Sequence, residues 1–191
     1  LQRAVEMGCA FDAKECASLA SSSSHIHVVE WLLERNPELK GERRICDAAT
    51  KGGQLAMLQR AVELGCKIVV KDAGPAGVGR THGCWHTAIA GDHVEVMAWL
   101  RGRYEALCLW GVGGGRDGGG PCAWAADNGK LAALCWLRKG ESGADAATVE
   151  GWTPCPYDVK ALFGAAAKGH LGVVKWLGGK RPLIPLSRSR R

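Results

Sequence analysis

Apolar and polar positions along this chain fall into one pattern that comes round five times. Its clearest copy is Lys168–Leu177, KGHLGVVKWL, and the others are Ser23–Leu32, Gly52–Ala61, Gly91–Leu100 and Asn128–Leu137. With His25, Gln54, His93, Lys130 and His170 as anchors, the intervals are 29, 39, 37 and 40 residues. One residue after each anchor stands an aliphatic (Ile26, Leu55, Val94, Leu131, Leu171), and four after it comes Val29, Leu58, Met97, Leu134 or Val174. Six after comes Trp31, Arg60, Trp99, Trp136 or Trp176, and five before every anchor stands an alanine: Ala20, Ala49, Ala88, Ala125 or Ala165. Steps of three and four put the apolar side chains on one face of a helix. Self-similarity at intervals of roughly 20–50 residues marks an array of repeated units.

Ahead of each anchor lies a second, alanine-rich stretch, such as Leu162–Lys168 (LFGAAAK). Alanine is the strongest helix former and lets two backbones approach closely. The Gly-His or Gly-Gln between the two stretches reads as a tight turn. Each unit is therefore helix, turn and helix, too small to bury its own apolar face, and a core arises only when neighbours stack. The expected fold is all-α: an α-solenoid of about five stacked helix-turn-helix repeats with a partial repeat at the N-terminus. The repeated tryptophans Trp31, Trp99, Trp136 and Trp176 are expected in the core between stacked units.

Bulk properties narrow the classes. A chain of 191 residues with 47% apolar content suits one domain with a packed core. It contains no run of 18 apolar residues, hence no expected spanning helix. The net charge of +6 is concentrated: Lys180–Arg191 holds five cations and no acid, leaving the remainder at +1. A nearly neutral body argues against a nucleic-acid footprint over the whole surface. Nine cysteines, none spaced C-x-x-C, leave zinc ribbons and thioredoxin-like motifs unsupported. Cys16, Cys46, Cys84 and Cys122 sit at the start of the first helix of their units and read as small core residues. Unbridged thiols suit a reducing compartment, so the expected location is cytoplasm or nucleus.

Leu1–Cys9 (LQRAVEMGC) nearly duplicates Leu58–Cys66 (LQRAVELGC), so it reads as the second helix of a unit, and a longer parent protein is the expectation. Complete repeats are expected at about 10–36, 37–66, 84–104, 121–140 and 158–178. The links are Asn36–Arg43, with a helix-ending Pro37, then Lys67–Gly83, the glycine-rich Arg101–Gly120 and Lys139–Tyr157. Residues 179–191 form a basic tail expected to be disordered.

On these residues the units resemble ankyrin repeats. Gly120–Lys130 (GPCAWAADNGK) keeps that family's Pro, Ala-Ala and Gly; Cys84–His93 (CWHTAIAGDH) keeps both its histidines; Gly164–Leu177 (GAAAKGHLGVVKWL) matches its second half. The resemblance covers nearly all of residues 1–178. The chain departs from the family in lacking most Thr-Pro turns, in placing Trp for Leu, and in its uneven intervals. The resemblance implies a non-catalytic scaffold that binds another protein along a concave edge lined by residues just before each first helix. Here those are Lys14, Glu15, Arg43, Arg44, His82 and Lys160, with Arg116 and Asp117 on the glycine insertion. Cations predominate, which points to an acidic or phosphorylated partner segment. The alternative is that these charges only keep the surface soluble. The resemblance also implies that the anchor histidines stabilise turns and that His86 hydrogen-bonds loop backbone.

Reactive chemistry is thinly represented. His82, Cys84 and His86 alternate in HGCWH but lack further ligands, so no metal is expected. Gly113–Gly118 fits G-x-G-x-x-G, yet follows a repeat end rather than a strand, so it reads as a flexible insertion and no nucleotide cofactor is expected. Cys66, Cys108 and Cys155 have no histidine placed beside them by the sequence. No active site stands out, and neither a small-molecule substrate nor a membrane is expected as a partner. Two alternatives stay open: an interaction arm of a larger enzyme or receptor, and nucleic-acid contact or nuclear entry through the 179–191 tail.

Overall fold

The structure is a computed structural model that describes residues 11–70, 83–104, 120–138, 155 and 159–179. Among them are ten α-helices and no strand. They are α1 (Ala13–Ser22), α2 (Ile26–Arg35), α3 (Arg44–Lys51), α4 (Leu55–Glu63), α5 (Cys84–Gly91), α6 (Val94–Arg103), α7 (Pro121–Asp127), α8 (Leu131–Leu137), α9 (Val159–Ala167) and α10 (Leu171–Gly178). The link after α2 is a short 3₁₀ turn, Pro37–Gly41, which buries Leu39. The proposed partial repeat at Leu1–Cys9 lies outside the described residues.

The helices pair as the spacing requires, and one turn closes every pair. The anchor N–H donates to the carbonyl of the alanine five residues earlier: His25 to Ala20, Gln54 to Ala49, His93 to Ala88, Lys130 to Ala125 and His170 to Ala165, all at 2.8–3.0 Å. The residue before the anchor donates to the carbonyl three residues back, as Gly129 does to Ala126. That residue has positive φ in all five turns: Ser24, Gly53, Asp92, Gly129 and Gly169 lie between 60° and 75°. This is a Schellman closure, which satisfies the last carbonyls of the first helix and then launches the second. The glycines take the left-handed position without steric cost.

First helices pack on first helices, α1 on α3, α3 on α5, α5 on α7 and α7 on α9. Each also packs on its own second helix. The repeated alanines lie at these crossings, and Ala49, Ala88, Ala125 and Ala165 are wholly buried. Without a larger side chain there, the helix backbones can approach closely. The second helices contribute Leu32, Ala61, Leu100, Leu137 and Leu177, seven residues past each anchor, all buried.

Polar groups of one turn are used by the next unit. His93 Nε2–H donates to the Lys51 carbonyl at the end of α3 (3.0 Å), and His170 Nε2–H to the Asp127 carbonyl at the end of α7 (3.1 Å). The carboxylate of Asp92 accepts from the Ala133 N–H in the first turn of α8. Two of the expected turn-stabilising histidines, His93 and His170, thus grip the preceding unit, leaning on its turn glycine.

The tryptophans correct the expectation. Trp136 is 7% exposed and edge-on to Trp85, but Trp31, Trp99 and Trp176 are only half-buried. At 3.6 residues per turn, the position six past the anchor lies about 100° from the centre of the buried stripe, on its flank. A ring there leans over the seam with one edge in water, as Trp31 does beneath the Arg35 guanidinium, 4.2 Å from the ring centre.

Three positions are closed in four units and open in the fifth. Four past the anchor, Val29, Leu58, Met97 and Leu134 are fully buried, whereas Val174 is half-buried. Four before it, Ser21, Thr50, Ile89 and Ala126 are buried and Ala166 is exposed. Eight before it, Ala17, Cys46, Trp85 and Cys122 are buried and Leu162 is half-buried. These are the positions that each following unit covers.

Gly129 and Gly65 both have positive φ, but a Cβ at Gly129 would lie 2.6 Å from His170 Nδ1, while one at Gly65 meets nothing within 4 Å. Gly65→Ala is expected to cost about 1–2 kcal/mol for the left-handed backbone alone. Gly129→Ala is expected to cost about 1 kcal/mol more, because it also displaces the histidine and its hydrogen bond. Urea unfolding followed by tryptophan fluorescence measures both.

Candidate partner-binding edge

The starts of the first helices form the candidate edge. The Asp12 side chain caps α1 by accepting from the N–H groups of Lys14 (2.8 Å) and Glu15 (3.3 Å), so both side chains leave from the first turn, exposed. Arg43 occupies the N-cap of α3 and Arg44 its first turn; Lys160 stands exposed in the first turn of α9. His82, Arg116 and Asp117, the other residues expected here, lie outside the described residues, as does the Gly113–Gly118 segment.

Lys14, Arg43 and Arg44 are brought together, but not as bare cations. Lys14 Nζ pairs with Glu42, and Arg44 Nε lies 3.7 Å from the other oxygen of the same carboxylate. Arg43 Nε pairs with Asp47 at 3.0 Å, one turn along α3. Glu42 and Asp47 were not expected at the edge. Asp47 was legible as the i+4 partner of Arg43, whereas Glu42 sits in a polar link whose path the sequence does not fix. These pairs are partly exposed and each is worth under about 1 kcal/mol.

From the edge, the uncovered side of the first helices runs inward at four-residue steps. It carries Ser18 and Ser22, then Asp47 and Lys51, His86 and Ala90, Ala123 and Asp127, and finally Phe163 and Ala167. None of them is fully buried. His86 stands edge-on to the Trp124 indole, with ring centres 5.9 Å apart, a contact that the resemblance did not foretell.

The cysteines behave as interior residues. Cys46, Cys84 and Cys122 are fully buried, Cys16 half-buried. Burial pushes the Cys46 and Cys66 thiols up, and it is the main cause raising Cys84 to about 11. The Cys84 thiol donates to Asp47 at 3.6 Å. Cys122 is raised by its contact with the Cys155 thiol and by burial. Cys155 is buried, its carbonyl accepting from Arg138 Nη1 at 2.6 Å. Raised thiols are the reverse of what an activated nucleophile needs. Cys108 lies outside the described residues.

A cavity of about 250 Å³ lies between α2, the 3₁₀ turn and α4, lined by Glu30, Leu33, Glu34, Lys40, Arg60 and Leu64. Arg60 spans its rim, donating to Glu30 (2.7 Å) and Glu63 (3.1 Å). Among the described residues, no group of three His, Cys, Asp or Glu side chains is arranged to hold a metal, and no helix is long and apolar enough to cross a membrane. Comparison of the chain with protein-family models and with curated proteins returns no match.

The thiol shift has a pH consequence. The folded Cys84 pKa lies above the ordinary 9.0, so the stability it contributes is present below pH 9 and is lost as pH rises through about 11. The unfolding free energy is expected to fall by about 2 kcal/mol more in the wild type than in Cys84→Ala over that interval. Urea titrations at pH 8, 9.5 and 11 check it through the difference in slope, which the cavity left by the substitution does not alter.

Proposed function

We propose that the chain is an ankyrin-type solenoid that binds a segment of another protein along the starts and uncovered sides of its first helices. The observation that carries this is the fivefold recurrence of one turn geometry, which sets every first helix in the same relation to its second helix. A rigid row of side chains of this kind loses little conformational freedom on binding. Its role is mechanical support for recognition rather than chemistry, consistent with cysteines whose thiols are raised by burial. The seven described cysteines all stand as thiols, which supports a reducing compartment, cytoplasm or nucleus.

The partner segment is acidic or phosphorylated. Support comes from the convergence of Lys14, Arg43 and Arg44, which Glu42 and Asp47 hold in place until an incoming anion displaces them. Charge-assisted hydrogen bonds from two arginine forks are stronger than the exposed pairs they replace.

A pull-down with the full chain tests this directly. Arg43→Ala with Arg44→Ala is expected to weaken capture of the partner by about tenfold. Glu42→Gln, which releases Lys14 and Arg44 from a competing carboxylate, is expected to strengthen it by about threefold. Capture insensitive to both changes, or to added salt, sinks the acidic-partner assignment.

A further inference from the structure

Four units carry tryptophan six residues past the anchor, and the second carries Arg60. Arg60 reaches across to Glu30 of α2 at 2.7 Å and along α4 to Glu63 at 3.1 Å. It borders the cavity of about 250 Å³ between α2, the 3₁₀ turn and α4, away from the starts of the first helices. The walls of that cavity are sorted by charge. Glu30 and Glu34 stand one turn apart on the same face of α2, whereas Lys40 comes from the 3₁₀ turn and Arg60 from α4. Leu33, which is buried, and half-buried Leu64 supply its apolar surface. Glu30 is engaged by Arg60. Glu34 and Lys40 are exposed, and among the described residues neither side chain is in an ion pair.

We propose that this cavity binds a free α-amino acid with an aliphatic side chain. Size sets the first limit. At roughly 30 Å³ per heavy atom, the share of a water molecule in the liquid, the cavity seats about eight such atoms. Charge sets the second. The α-ammonium pairs with Glu34 on the acidic wall and the α-carboxylate with Lys40 on the basic one, while the side chain lies on Leu33 and Leu64. A zwitterion answers both walls at once, whereas a simple cation or anion meets one wall of its own sign. A residue inside a polypeptide fails at both, because the peptide bonds remove its charges. Contacts to exposed ions are screened, so the affinity is modest, with a Kd of about 1 mM.

Isothermal titration calorimetry of the full chain compares leucine with leucinamide, which lacks the carboxylate, and with 4-methylpentanoate, which lacks the ammonium. Each analogue is expected to bind about tenfold more weakly than leucine. Glu34→Gln is expected to weaken leucine about tenfold without weakening 4-methylpentanoate. Lys40→Met is expected to weaken leucine about tenfold without weakening leucinamide. Both side chains are exposed, so circular dichroism stays unchanged. Equal binding of the three compounds overturns the proposal, as does leucine binding that neither substitution alters. No saturable heat up to about 20 mM leucine also overturns it. N-acetyl-leucinamide stands for a leucine within a polypeptide; if it binds as tightly as leucine, the cavity belongs to a partner's chain and the proposal falls. Arg43→Ala with Arg44→Ala is expected to leave leucine binding unaltered, so failure here is distinct from failure at the edge.

Discussion

Short helices must have their ends satisfied, and that requirement governs the rest of this structure. A helix of seven to ten residues leaves four N–H and four C=O groups without partners inside itself, nearly as many as it bonds. Its intrinsic stability in water is negligible. The turn answers both needs at once. One hydrogen bond from the anchor N–H to the alanine carbonyl, and one from the residue before it, close the first helix and fix where the second begins. The alanine also lies where adjacent first helices meet, so the position that accepts the turn bond is the one that sets the closeness of packing. Backbone closure and core packing are thereby one constraint, which explains why both anchor and alanine recur while the links between units vary.

The ties between units follow from the same economy. Once the turn is closed, the remaining free carbonyls at the ends of α3 and α7 face the next unit, and His93 and His170 donate to them. Asp92, forced into the left-handed region by the turn, directs its carboxylate to the start of α8 and serves as an N-cap supplied by the neighbouring pair. A Cβ at Gly164 would have to displace the Asp127 carboxylate, with which Lys168 pairs. Apolar burial supplies most of the cohesion, but these polar contacts set the register between pairs, because each has a single donor and acceptor to match.

Much of this was legible. A residue type repeated at a fixed offset reports a fixed backbone role, so Ala20 to Ala165 and the Gly-x turns identified both helices and their boundary. The glycine slot even signalled its φ, since Ser24 and Asp92 adopt the same left-handed conformation as Gly53. What misled was identity taken as burial: the tryptophan recurs in four of the five units, yet Trp31, Trp99 and Trp176 lie on the flank of the stripe. Hydrophobicity was plain in the sequence, and the angular position needed the 3.6-residue wheel applied to it. The edge was half legible. Lys14, Arg43 and Arg44 were placed by their offset from the helix starts, whereas Glu42 joins them only because the 3₁₀ turn at Pro37–Gly41 folds the link back. Side chains on irregular links have no period from which to read their neighbours.

Net charge, finally, is a poor guide to where an array of this kind makes contact. The described edge pairs Lys14, Arg43 and Arg44 with Glu42 and Asp47, so its far field is weak. The fifth unit has three lysines to one carboxylate, Asp158, and one of those lysines, Lys168, is answered by Asp127 of the preceding unit. Electrostatic steering scales with uncompensated charge, while bound-state discrimination depends on which pairs are desolvated together. The starts of α1 and α3 hold their ions in mutual pairs, and the fifth unit leaves Leu162, Ala166 and Val174 open where other units are covered. In a chain built from one repeated unit, an interior layer and an end layer leave different parts of the same helices uncovered.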